Sequence, residues 1–184
     1  MAHYLLGITG ASGAIYATRT LFYLQKFGHR VSVIFSDTGM QVAEFEEQFE
    51  FLKKANAILD NKDLFSFAAS GSSCVSGMAL VPCSMGSLGK LANGVTDNLI
   101  IRAADVCLKE HKHVVVVPRE MPYNLIHLKN MEQILLAGAT IVPASPQFYS
   151  KPKTIEDAVD TVVAKIIWHL GIENRIIEPW GSPC

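Results

Sequence analysis

The chain has 184 residues, 49% hydrophobic and 18% charged, enough for one globular domain that buries on the order of 70% of its unfolded surface. Sixteen basic and seventeen acidic side chains leave a net charge of -1, so no summed field attracts a polyanion and nucleic acid is excluded as an expected partner. The opening Met1-Ala2-His3-Tyr4 lacks a basic run, no apolar run is long enough to span a bilayer, and the four cysteines show no C-x-x-C spacing. The expectation is therefore a cytoplasmic chain with reduced thiols, no membrane span and no metal. A mean hydropathy of +0.25 is high for a monomer of this size and predicts subunit contacts.

The first expected strand, Tyr4 to Ile8, runs into Thr9-Gly10-Ala11-Ser12-Gly13 and a helix over Ala14 to Phe27. The first amides of a helix lack intrahelical partners and the helix dipole adds partial positive charge. The turn thus reads as an anion site, or equally as a tight strand-to-helix connection that uses glycine for its geometry. The second strand, Val31 to Phe35, leads into Ser36-Asp37-Thr38 and a helix expected from Thr38 to Ala57. Leu59 to Gly77 has weak periodicity, and its run of small residues, Ala68 to Ser73, suits a loop near a site or an oligomer contact. A third strand, Met78 to Val81, precedes Pro82-Cys83-Ser84-Met85-Gly86-Ser87 and helices over Ser87 to Ala92 and Asp97 to Glu110. A fourth, Val114 to Val117, precedes Pro118-Arg119-Glu120 and a helix over Leu125 to Ala137. The fifth, Thr140 to Val142, leads through Pro143 to Tyr149 into a helix over Ile155 to Leu170, with Thr154 as N-cap and Gly171 as stop, and then a tail over 172–184.

Continuous apolar strands alternating with helices are strands covered on both faces, so the expected fold is a single-domain α/β protein with a parallel open sheet and helices on both faces. Ligands of such sheets sit beyond the carboxyl ends of the strands, where these small and polar clusters are expected to converge. Hydroxyls and helix-start amides suit a nucleotide phosphate, and Arg119 adds a charge-assisted fork. Each serine taken singly also reads as a helix cap.

Gly-Ala-Ser-Gly-Ala-Ile-Tyr at 10–16, Val-Pro-Cys-Ser-Met at 81–85, Asp97-Asn98-Leu99-Ile100 with Arg102-Ala103-Ala104-Asp105-Val106, Leu108-Lys109-Glu110, Val117-Pro118-Arg119-Glu120, Ile126-His127-Leu128 with Asn130-Met131, and Phe148-Tyr149 with Pro152 to Asp157 closely resemble the UbiX family of flavin prenyltransferases. Their order and spacing carry the resemblance over nearly the whole chain. It implies a flavodoxin-like or Rossmann-like fold, assembly into a homododecamer, and transfer of a dimethylallyl group from dimethylallyl monophosphate to N5 and C6 of reduced FMN. The prenylated flavin would serve a UbiD-type decarboxylase in ubiquinone biosynthesis or aromatic-acid metabolism.

The resemblance places FMN against Gly10, Ala11, Ser12, Ser36, Ser84, Met85, Gly86, Ser87 and Arg119. It places the prenyl phosphate against Lys109, Tyr149 and Lys165, with Arg102 nearby and some groups supplied by adjacent subunits. Fixed cations and a phenol suit a leaving phosphate, because charge gathers on its oxygens as the allylic C–O bond breaks. Proton transfer falls to Glu120, with Ser12 and Glu46 as a second relay; for Glu46, in an acidic run, an exposed charged face is the alternative. Trp180 is the candidate aromatic wall for an allylic cation. Two positions depart from the family pattern: Lys165 and Cys74 stand where arginine is usual. His127 reads as structural. Two rival functions share the fold, a non-catalytic carrier of FMN or prenylated FMN and an FMN-dependent cysteine decarboxylase. The decarboxylase signature Pro-x-Met-Asn-x-x-Met-Trp is missing from Pro122 to Leu128, and retention of Ser12, Lys109, Glu120 and Tyr149 argues against a carrier.

Overall fold

The computed structural model describes residues 1–178, so the Trp180 expectation lies outside the described residues. In chain order the elements are β1 (His3–Ile8), α1 (Ala14–Lys26), β2 (Arg30–Phe35), α2 (Asp37–Phe45), the single-turn α3 (Phe49–Leu52), β3 (Ala57–Leu59), β4 (Val75–Cys83), α4 (Met85–Ala92), α5 (Leu99–Lys109), β5 (His113–Pro118), α6 (Leu125–Leu136), β6 (Thr140–Ile141) and α7 (Ile155–His169). The strands pair in parallel in the order β3-β2-β1-β4-β5-β6. Without the short edge strand β3 this is the flavodoxin order; with it, the order of dinucleotide-binding sheets. In both cases the chain turns back at β1, and the carboxyl ends of β1 and β4 form the crevice in which such sheets take ligands.

The period of two along the strands divides the interior into two apolar layers. Leu6, Ile8, Val33 and Val115 join the layer of α1 and α7, whereas Leu5, Met78, Leu80 and Val116 join that of α4 and α5. Helix α7 ends as its sequence predicts: Thr154 accepts from Asp157 N at 3.0 Å in a capping box, and Gly171 follows at φ 84°.

Two expectations are corrected. The helix expected over Thr38 to Ala57 stops at Phe45: Glu46 is its C-cap and Glu47 takes φ 57°. Asn56 then exchanges two hydrogen bonds with Val31, its amide donating at 2.9 Å and its Oδ1 accepting at 2.8 Å, and this opens the β2–β3 ladder. Helical spacing concealed an edge strand only three residues long, with Ile58 45% exposed. The strand expected over Met78 to Val81 extends in both directions, to Val75 and Cys83.

One glycine fixes the crevice by close approach. A Cβ on Gly39 would lie 2.3 Å from the Ile8 carbonyl oxygen at the end of β1. Gly39→Ala is expected to lose about 1–3 kcal/mol as α2 is forced off β1, read from the denaturant midpoint; an unchanged midpoint would show that the two segments separate freely.

Candidate active site

A cleft of about 510 Å³ opens at the carboxyl ends of β1, β2 and β4. Gly10, Ser36, Ser84, Gly86 and Ser87 line it, together with Asp37, Thr38, Asn61, Lys62, Lys90, Asp97 and Asn98. Three helices begin on it, each capped by a lining residue. Ser36 Oγ accepts from Gly39 N at 3.0 Å, Ser84 Oγ from Ser87 N at 3.3 Å, and Asn98 Oδ1 from Ile101 N at 3.1 Å. The serines therefore serve as caps and as cleft lining at once. Capping oxygens hold one amide of each helix start, and the dipoles of α2, α4 and α5 converge on the space in front.

The crevice is latched by Thr9, whose importance the sequence did not reveal. Its buried hydroxyl donates to Pro82 O at 3.0 Å and accepts from Ser84 N at 2.7 Å, tying the end of β1 to the start of α4. Gly10 carries no side chain because Thr38 fills the space, with its Cγ2 2.7 Å from where a Cβ would sit. At Gly86 a Cβ would meet nothing within 4 Å, so the missing side chain leaves cleft space open.

The glycine turn itself differs from expectation. The amides expected to be open to an anion are engaged: Gly13 N donates to both Glu46 carboxylate oxygens at 3.0 Å, and Ala14 N donates to Glu46 Oε2 at 2.7 Å. Glu46 thus sits neither on a solvated face nor idle. The break after α2 carries its carboxylate onto the start of α1, beside exposed Ser12. The helix starts that face the cleft are instead those of α2, α4 and α5.

Arg119 lies against the glycine turn and, like Ser12, outside the cleft lining, its Nε donating to Ser12 O at 3.1 Å, while its backbone amide donates to Cys83 O at 3.3 Å. Glu120 follows, exposed and outside the cleft lining, its Oε1 accepting from Met121 N at 3.0 Å. Ala11 is buried, and the Met85 side chain belongs to the apolar layer with Leu88, so only the backbone of Met85 adjoins the cleft lining.

The four residues expected at the prenyl phosphate fall into two pairs. Tyr149 and Lys165 line a second cavity, of about 250 Å³, with Gln147, Thr161 and Trp168; Gln147 N donates to Thr161 Oγ1 at 3.0 Å and docks the Pro143 to Tyr149 loop on α7. Arg102 and Lys109 lie seven residues apart on α5, on the opposite face of the sheet. Arg102 pairs with Asp105 at 3.3 Å and donates to Ala69 O at 3.3 Å; Lys109 pairs with Glu110, whose carboxyl that lysine holds below its usual range. The small-residue loop expected near a site does reach this pair, since a Cβ on Gly71 would lie 2.8 Å from Lys109 Nζ. One chain alone does not assemble the four.

Cys74 is exposed in that loop; Cys83 and Cys107 are buried, and desolvation pushes their thiols up to about 12 and about 11. Asn124 and His127 close the capping box of α6, in agreement with a structural His127. No described helix is long and apolar enough to cross a membrane.

A switch-point cleft faced by helix starts is where doubly wound α/β proteins take nucleotides, and the model of the Flavoprotein family matches residues 1–167. The chain is 42% identical over 178 residues to the flavin prenyltransferase UbiX of Methanocaldococcus jannaschii, covering 95% of this chain and 96% of that one. A crystal structure of a UbiX (AnUbiX) in complex with FMN and dimethylallyl pyrophosphate superposes with a TM-score of 0.92 at 32% identity, covering 98% of each chain. A dodecameric FMN-dependent UbiX-like decarboxylase from Escherichia coli O157:H7 superposes at 0.91 and 34% identity, covering 98% of this chain and 100% of that one. The chain belongs to the UbiX flavin prenyltransferase family.

Proposed function

We propose that the protein is a flavin prenyltransferase: it binds reduced FMN in the cleft between β1 and β4 and transfers to it the dimethylallyl group of a prenyl phosphate. The observation that carries this reading is the convergence of the α2, α4 and α5 starts with Lys62 and Lys90 on one cleft of about 510 Å³, in a chain related to UbiX over nearly its whole length. The residues fit the flavin. The volume lies within the usual range of cofactor sites, the helix starts and lysines suit its phosphate, and the open space at Gly86 lets that group approach the backbone.

When bound, reduced FMN supplies the nucleophilic ring positions that accept the prenyl carbon. The chain's own residues do the rest. Ser36, Ser84 and Ser87 orient the flavin phosphate, and Gly10 to Ser12 with Arg119 border the ring side. Lys109, Arg102, Tyr149 and Lys165 hold the prenyl phosphate, and because the two pairs lie on opposite faces of one sheet, the site is completed by neighbouring copies of the chain. We place these in a homododecamer. Glu120 gives a proton to the departing phosphate, while Ser12, with Glu46 beside it, takes protons from the acceptor. A lysine at 165 supplies charge without a planar fork, which leaves the donor a monophosphate or a diphosphate. The product would pass to a UbiD-type decarboxylase, and the enzyme would work in the cytoplasm. The cysteine-decarboxylase reading is disfavoured, since the Pro122 to Leu128 stretch spends Asn124 and His127 on capping α6.

The test is anaerobic incubation with reduced FMN and dimethylallyl monophosphate or diphosphate, with EDTA present. Flavin heavier by one isoprenyl unit in the mass spectrum, from particles of dodecamer size by light scattering, is the expected result. Unaltered flavin with every donor would identify a carrier, and full activity in a monomer would remove the shared site.

A further inference from the structure

The two lysines of the flavin cleft are not offered bare. Lys90, on α4, is held by Asp97 at 2.6 Å, and Lys62 faces Asp37 at 3.7 Å; all four line the cleft. Asp97 is the better placed of the two carboxylates. Its Oδ2 takes the lysine, its Oδ1 accepts from Asn98 Nδ2 at 2.7 Å, and Asn98 in turn caps α5 through Ile101 N. The Lys90 ammonium holds the Asp97 carboxyl below its usual range, so the competitor is an anion at neutral pH.

We propose that Asp97 is a built-in competitor for the flavin phosphate: the phosphate takes Lys90 by displacing the Asp97 carboxylate, and the return of that carboxylate sets how quickly flavin leaves. This rests on reading the cleft as the FMN site. A phosphate group carries about -1.5 to -2 charge at pH 7, against one for a carboxylate, and so wins the lysine when present. The displaced pair is about half exposed on each side chain, and pairs of that kind are worth about 0–1 kcal/mol, a small cost to entry. A permanently held cofactor gains nothing from such a device. A flavin that is consumed as substrate and must depart as product does, because a neighbouring carboxylate always waits to re-pair its cation.

The experiment measures FMN affinity by flavin fluorescence and FMN release by stopped-flow displacement, with riboflavin, which lacks the phosphate, as control. Asp97→Asn, with Asp97→Ala as a second variant and thermal melting to check folding, is expected to tighten FMN binding about 3–5-fold, mostly through slower release. Lys90→Met is expected to weaken it by a similar factor, and riboflavin binding should follow neither change. FMN affinity that is unchanged or weaker in both Asp97 variants overturns this inference alone, as does riboflavin tightening in parallel. Wild-type protein that binds no FMN overturns the flavin reading and this inference together.

Discussion

Glu120→Gln is expected to retain FMN binding while forming prenylated flavin on the order of 10² to 10⁴ times more slowly, the usual worth of a positioned acid. The carboxyl follows β5 directly after Arg119, whose backbone N–H donates to Cys83 O and fixes this strand end beside β4, and the Met121 amide donates to one carboxyl oxygen at 3.0 Å. Glutamine keeps the size and can still accept from that amide, but it has no acidic proton to give the leaving phosphate. Because Glu120 is exposed, the substitution leaves the apolar layers untouched and the effect should fall on turnover. Single-turnover mass spectrometry of the flavin beside an FMN titration separates the two. Lost FMN binding would make Glu120 a flavin-holding residue, and unchanged turnover would pass the acid role elsewhere.

The largest stability effect is expected far from the cleft. Asp160 on α7 is buried and accepts from Arg19 Nε at 2.7 Å, from Arg19 Nη2 at 2.5 Å and from the Tyr23 hydroxyl at 2.6 Å, joining α7 to α1. Its hydrogen bonds raise the Arg19 pKa, while burial, followed by the bond to Asp160, raises that of Tyr23. Asp160→Ala leaves the partly buried Arg19 guanidinium without its counter-ion, and breaking such a pair costs up to about 3 kcal/mol, or up to about 6–12 °C in melting temperature for a chain of this size. Asp160→Asn, which retains an acceptor for Tyr23, should lose less. A melting point that both variants leave in place would mean that water serves the arginine as well as Asp160 does.

The α1–α7 contact also positions site candidates: α1 starts at the Glu46 carboxylate beside Ser12, and Lys165 of α7 lines one cavity with Tyr149. The major helices, the five apolar strands and the serine caps were legible locally. Apolar runs, Thr154 as N-cap of α7 and serines ahead of Gly39 and Ser87 depend on neighbours within a few residues. The break at Glu46, the edge strand at Ala57–Leu59 and the latch at Thr9 were not. In each, the partner lies far along the chain: Gly13 for Glu46, Val31 for Asn56, Pro82 and Ser84 for Thr9.

The same distinction governs function. By itself the sequence determined a parallel α/β chain with its polar clusters at the strand ends, and its ordered motifs identified the UbiX family, because periodicity and motif order are properties of the chain read in one dimension. Only the tertiary structure decided that Glu46 fills the α1 start, that the α2, α4 and α5 starts meet Lys62 and Lys90 on one cleft, and that Tyr149 and Lys165 lie on one side of the sheet with Arg102 and Lys109 on the other. These are matters of which distant groups meet across a folded crevice, and local spacing carries no information about a carboxylate that reaches a helix start more than thirty residues away.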